Sequence, residues 1–163
     1  MIFQLNILHG LLAIGAIGCA YLALREVRRP YVSVWRLFVP PFLGCAVAFG
    51  LVLIQLAANH PSWQFGAALL VGLTAGAARG FTMQVQIDAY RPRFQARPAS
   101  KRVLLWVALV LVLCVALDAA GAVQSPNVDS VRFFAAMLAT FCAGMLVGRA
   151  SAVTARLHYV HRN

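Results

Sequence analysis

Asn6 and His9 stand three positions apart, and Gln55 and Asn59 four apart, so each pair shares one face if its segment is helical. Asp118 is an acid near the end of another apolar run. Polar and ionisable side chains inside apolar sequence usually mark an intramembrane site. Asn6, His9, Gln55, Asn59 and Asp118 are therefore the candidate polar pocket, with His60, Gln64 and Arg132 at the neighbouring surface. His9 beside Asp118 has the make-up of a proton-passing pair, because imidazole titrates near neutral pH. The same groups suit a quinone headgroup or a small polar solute. The competing reading is that each residue lies near a helix end and reaches interfacial water. No catalytic residue is assigned, since no Ser/His/Asp or Cys/His arrangement is present and no Gly-rich phosphate loop follows a strand. Cys19, Cys45, Cys114 and Cys142 each sit alone in an apolar run, without a CxxC pair. Buried cysteines of this kind act as small hydrophobes. His9, His60 and Asp118 lack diagnostic ligand spacing, so no metal is assigned, and no cofactor is implied.

The elements that must hold these residues follow from composition. The chain is 62% hydrophobic and 11% charged over 163 residues, with a mean hydropathy of +0.80. A soluble domain would carry roughly a quarter charged residues. Five apolar runs stand out, at about 2–24, 34–58, 63–78, 103–120 and 131–152. About 20 apolar residues cross a bilayer as a helix. Continuous runs without alternation exclude a barrel, and backbone groups in hydrocarbon must be satisfied within the segment, so the runs are expected to be helices. A cleavable signal peptide is not expected, because the first basic residue, Arg25, follows the first apolar run rather than preceding it. The expected fold is an all-α integral membrane domain of five transmembrane helices.

The net charge of +10 has an ordinary explanation in this architecture. Threaded alternately, the five spans leave every Lys and Arg except Arg132 on one side. Basic loops mark the cytoplasm, which puts the N-terminus outside and the C-terminus inside. The basic residues punctuate apolar runs and form no groove with interleaved aromatics, so nucleic acid is not a partner. The lipid bilayer and anionic phospholipid headgroups are. Arg79 and Arg149 close the cytoplasmic ends of the third and fifth spans, where they oppose the helix dipole and can meet headgroups.

Three further features carry expectations. Pro40-Pro41 removes two backbone donors early in the second span, which predicts either a helix kinked or begun there, or a broken helix lining a site. Residues 81–88 alternate apolar and polar, the period of a strand. A small cytoplasmic β-hairpin over 81–97 is expected between the third and fourth helices, with an irregular loop or a longer third helix as the alternative. The pattern F-x-A-A-[LM]-L followed by A-G-x-x-x-G occurs at Phe65–Gly80 and again at Phe133–Gly148. This suggests a parallel repeat of 34–80 and 103–152 within the single domain 1–163. Gly72, Gly76 and Gly80, with Gly144 and Gly148, form small-residue faces suited to close helix packing, inside the bundle or against a homodimer or partner.

The stretch Arg36-Leu37-Phe38-Val39-Pro40-Pro41-Phe42-Leu43-Gly44, with Val71-Gly72-Leu73, the strand-like segment and the run from Val103, resembles the CcdC-like small bacterial membrane proteins over roughly residues 1 to 120. The resemblance implies a helical bundle with a cytoplasmic hairpin in the bacterial inner membrane. The family name associates it with cytochrome c maturation and thiol reduction, to which isolated cysteines lend nothing. Two functions are carried forward. The first is a non-enzymatic accessory or assembly factor acting through helix packing with itself or a membrane complex. The second is a small transporter or ligand-binding protein with the polar pocket open to the outer face.

Overall fold

The computed structural model describes residues 7–28, 32–82, 86–87, 93–95, 98–123 and 129–160. Its helices are α1 (Ile7–Arg28), α2 (Val34–Ala57), α3 (Ser62–Thr82), α4 (Pro98–Val123) and α5 (Asp129–Val160). Each contains a stretch long and apolar enough to cross a membrane. The helices outrun the apolar segments: α1 continues through Arg25 and Arg28, and α5 runs on past Ala152 to Val160. Arg and Lys are good helix formers, and their long stems let the charge reach the interface from a helical backbone.

Four helices form a ring in the order α1, α2, α5, α4, each packed on the next, and α3 lies outside the ring against α5. Heptad spacing builds the ring. The buried face of α1 is His9, Leu12, Ala16, Cys19, Ala23 and Glu26, a strict 3-4-3-4-3 stripe. Lys101, Leu104, Ala108, Leu111, Val115 and Asp118 repeat the spacing on α4, and Ala135, Ala139, Cys142, Leu146 and Arg149 do so on α5. A 3.5-residue period keeps one seam facing its neighbours along a nearly parallel packing. The interior residues are small or slender, so the helices approach closely. α5 meets α2, α3 and α4 and is apolar around its circumference, as a helix covered on several sides must be.

The α3–α5 contact uses the glycine faces. The two helices run parallel. A Cβ on Gly72 would strike the backbone of Phe141, one on Gly76 that of Met145, and one on Gly148 that of Leu73. Gly144 lies against Leu69 and Gly72, and Gly80 against Ala152. The repeated motifs therefore lie side by side, staggered by about one turn from their sequence alignment. The two proposed repeat units differ in packing: α4 lies along α5, whereas α2 and α3 scarcely touch.

α2 passes through Pro40 and Pro41 as one helix. It neither starts at Pro40 nor breaks there, and the Cys19 thiol donates to the Pro40 carbonyl at 3.5 Å. At its other end Asn59 adopts a left-handed φ of 61°. His60 N–H donates to the Gln55 carbonyl at 3.2 Å and Asn59 N–H to the Leu56 carbonyl at 3.0 Å. This is the paired capping pattern in which a left-handed residue ends a helix, and Asn tolerates that conformation better than most residues. The turn lets α3 start at Ser62.

The expectation of a hairpin over 81–97 is corrected. Phe81 and Thr82 belong to α3, and residues 83–85, 88–92 and 96–97 lie outside the described residues. What pairs is short: β2 (Gln86–Ile87) with β3 (Arg93–Gln95), and β3 in turn with β1 (Val32–Ser33) from the α1–α2 link, all antiparallel. An isolated two-stranded ribbon is marginal in water, and the third strand ties the two links together. The helical period simply wins over the first residues of the alternating stretch, where α3 is already propagating.

Candidate functional site: two buried polar layers

The stripes on α1, α4 and α5 carry polar residues at both ends. On α1 these are 9 and 26, on α4 they are 118 and 101, and on α5 they are 132 and 149, each pair seventeen positions apart. That spacing is roughly 26 Å at 1.5 Å rise per residue, close to the ~30 Å hydrocarbon thickness of a bilayer. Because α4 runs antiparallel to α1 and α5, the chain builds two layers of three residues. One holds His9, Asp118 and Arg132. The other holds Glu26, Lys101 and Arg149.

In the first layer Asp118 is the centre, with only 1% of its surface exposed. Its Oδ1 accepts from Arg132 Nε at 3.0 Å. Its Oδ2 lies 3.3 Å from His9 Nε2, within ion-pair reach but without the alignment of a hydrogen bond. Both ring nitrogens of His9, and Asp118 Oδ2, are buried without a hydrogen-bond partner among the described residues. Arg132 is 21% exposed and connects the layer to the surface. Buried polar atoms of this sort are normally satisfied by water or a ligand.

In the second layer Arg149 Nη2 donates to Glu26 Oε1 at 2.8 Å, with both side chains buried. The contact also proves the register, since Glu26 and Arg149 each lie seventeen positions beyond residues that share Asp118. By the same register Lys101, which is buried, stands at this level on α4. Arg149 Nε has no partner among the described residues. Beside this layer Arg156 Nη1 donates to the Phe81 carbonyl at 2.7 Å and caps the last turn of α3.

Between the layers the interior is apolar. Leu12, Ala16 and Ala23 face Leu104, Ala108 and Leu111, all buried. Cys19 and Cys142, ten positions into their stripes, reach the same depth as each other, and Cys114 is buried nearby in α4. These cysteines are free thiols. Among the described residues no group of three His, Cys, Asp or Glu side chains is placed to hold a metal ion. Hydroxyls are satisfied within their own helices, as for Thr140 on the Ala136 carbonyl at 2.8 Å.

The structure unites part of the candidate pocket and disperses the rest. His9 and Asp118 meet, and Arg132, placed by sequence only at the surface, completes their layer. Gln55 is buried on the inner face of α2. Asn59 is exposed and serves the cap of α2, so its membership of the pocket is withdrawn. Asn6 lies outside the described residues. Arg79 is exposed at the end of α3. Arg149 differs from the expectation of an open headgroup-facing charge, because its stripe position turns it inward onto Glu26. Sequence reading missed Glu26 and Lys101. The available signal was the equal spacing of polar residues at the ends of three heptad stripes. The glycine faces are occupied by α3–α5 contact inside the chain, which removes them as an interface for another molecule.

Two apolar grooves flank α3. One, of about 520 Å³, opens between α2 and α3 over α5. Its floor is small (Cys45, Ala46, Gly66, Ala143) and its rim bulky, with Phe42 and Phe49. Near its end the His60 ring lies 4.9 Å from that of Phe133, which meets Phe65 edge-on at 5.4 Å. The other groove, of about 550 Å³, runs along the opposite side of α3. No family model, curated protein or solved structure matches this chain.

Proposed function

We propose that this chain is a non-enzymatic accessory or assembly factor of a bacterial inner membrane that acts by packing against a transmembrane helix of a membrane complex. The observation that carries the reading is the groove between α2 and α3, whose small floor and aromatic rim suit close approach of a helix backbone. The occupied glycine faces move the contact surface from those faces to this groove. The apolar stretch between the two polar layers argues against a solute path through the bundle, because every unsatisfied polar group there would be costly. The basic residues gathered at the Glu26 end favour that end as cytoplasmic, with the N-terminus outside and the C-terminus inside. The short sheet then belongs to the cytoplasmic side, where Arg79 can meet anionic headgroups. The likeness of residues 1 to 120 to CcdC-like proteins favours the inner membrane.

Photo-crosslinking in native membranes tests this reading. A photoreactive residue at Ala46, in the groove, is compared with one at Trp106, exposed on α4. The expected result is a discrete adduct with one membrane protein from Ala46 alone. The Gly66→Trp substitution should abolish it, since a side chain at Gly66 meets no neighbouring atom within 4 Å. An adduct with a second copy would keep the packing role and make the partner the chain itself. Adducts with lipid only would overturn the proposal.

A second reading rests on a different observation. The unpartnered atoms of His9 and Asp118, with Arg132 reaching the surface, favour a ligand-binding membrane protein or small transporter taking a small polar molecule at that end.

A further inference from the structure

We infer that the His9 layer is a dead-end binding site for a neutral molecule with two neighbouring hydroxyl groups, as in a glycerol unit. The inference rests on the ligand-binding reading of that end and names its ligand class. The layer has a fourth member. The buried face of α2 is Leu37, Pro41, Gly44, Ala48, Leu51 and Gln55, a 4-3-4-3-4 stripe. A Cβ on Gly50 would strike Leu12, and one on Gly15 would strike Val47, so α2 runs antiparallel to α1. Gln55, 3% exposed, therefore ends its stripe on the side of the membrane where His9 begins that of α1. In the ring order α1, α2, α5, α4 it stands across from Asp118, with His9 and Arg132 between them. At the other end the α2 stripe stops on Leu37, so only the His9 end draws a polar residue from every helix of the ring.

The donor count selects the ligand. Arg132 Nε donates to Asp118 Oδ1. Asp118 Oδ2 and both ring nitrogens of His9 have no hydrogen-bond partner among the described residues, although the two residues are only 1% and 8% exposed. A neutral imidazole carries one N–H and one bare nitrogen. The bare nitrogen and Oδ2 are thus two buried acceptors that require two donors. Asp118 and Arg132 cancel in formal charge, so an ammonium or a carboxylate would arrive as an uncompensated buried charge. A carboxylate also brings no donor. Two neighbouring hydroxyls bring two donors and no charge, and their oxygens accept from the imidazole N–H and the Gln55 amide. Arg132, 21% exposed, marks the way in from the surface. Below the layer Leu12, Ala16 and Leu111 are buried and apolar and give a hydroxyl no partner, so the ligand leaves by the end it entered. The site is independent of the helix-docking groove beside α3, and failure of either leaves the other standing.

The test uses the full chain in neutral detergent with its four histidines labelled in the ring for nuclear magnetic resonance. The His9 signal is assigned by its loss in His9→Leu. The probes are glycerol, monooleoylglycerol, methylammonium and acetate. Glycerol or monooleoylglycerol should shift the His9 ring signal saturably, and the two ions should not. A response to glycerol identifies a ligand taken from water, and a response to monooleoylglycerol alone identifies one taken from the membrane. Gln55→Leu should weaken the binding about tenfold, as for one lost hydrogen bond to a buried site. Unchanged affinity in that variant would put the ligand outside the layer and overturn the proposal. A saturable response to methylammonium or acetate, with none to the hydroxyl probes, would overturn the ligand class and leave the ligand-binding reading standing. A response that never saturates, or none to any of the four, would remove both. Should Gln55→Leu fail to fold, the contrast among the four probes on the unmodified chain still decides the class.

Discussion

The two polar layers share one plan and differ in charge and in access to water. Each draws one residue from α1, α4 and α5, at the ends of the same three stripes. At the His9 end the carboxylate is on α4, between its partners, and one of those partners, Arg132, is a fifth exposed. Its formal charges balance without His9, so the imidazole is an addition whose ring nitrogens make no hydrogen bond among the described residues. At the Glu26 end the carboxylate is on α1 and accepts from the buried Arg149, with the buried Lys101 at the same level of α4 by register. The first layer is electrically complete but polar-unsatisfied, and it reaches the surface. The second is more deeply buried, with its carboxylate bonded to Arg149. Equal helical spacing therefore does not make equivalent sites. The order of charge along each stripe decides which end tolerates loss of a partner.

Glu26→Gln should have the largest effect on stability. It leaves the buried Arg149 without the carboxylate to which its Nη2 donates. Removing one partner of a buried pair typically destabilises by about 3–5 kcal/mol. Thermal unfolding in detergent, with the chain stripped of lipid, should show a loss in this range. A change under about 1 kcal/mol, the range of exposed pairs, would erase the difference in closure between the ends.

How much of this was legible differs by element. The five helices were, because apolar runs near 20 residues have few other folded forms. The meeting of His9 with Asp118 was also legible, once alternate threading put both at one end. Glu26 was hidden by its neighbours: among Arg25, Arg28 and Arg29 it reads as part of a solvated basic flank, and only its place on the α1 stripe turns it inward. Lys101 was hidden in the same way next to Arg102. Asn59 misled because a polar residue four positions from Gln55 satisfies the helical-face rule, whereas the helix ends between them. The lateral order of helices, which puts α3 outside the ring, depends on which small faces meet and has no short-range signature. The pairing of β1 with β3 joins distant links and is equally silent in local sequence.

Asp118→Asn should rank next. It deprives Arg132 of its acceptor, but that guanidinium can turn toward water, and the amide keeps one acceptor oxygen. A loss of about 1–3 kcal/mol is expected for a buried polar partner left unsatisfied, read in the same unfolding experiment. The comparison with Glu26→Gln carries the information. If Asp118→Asn is the more damaging of the two, the His9 layer is the closed one, and exposure of Arg132 does not relieve it.

His9→Leu should have the smallest effect, and it separates architecture from binding. In the described structure the ring contributes packing against α4 but no hydrogen bond. Replacement by an apolar side chain of comparable bulk removes two unsatisfied nitrogens and exposes Asp118 to no new charge. The expected change is within about 1.5 kcal/mol, as for well-tolerated swaps in a packed interior. A loss exceeding that of Asp118→Asn would mean that the contact of the ring with Asp118 is integral to the fold. A near-neutral change leaves stability without a reason for histidine at this position. A polar ligand that binds the unmodified chain and not His9→Leu would then assign the layer to binding. It would move the functional weight from the groove beside α3 to this end of the bundle.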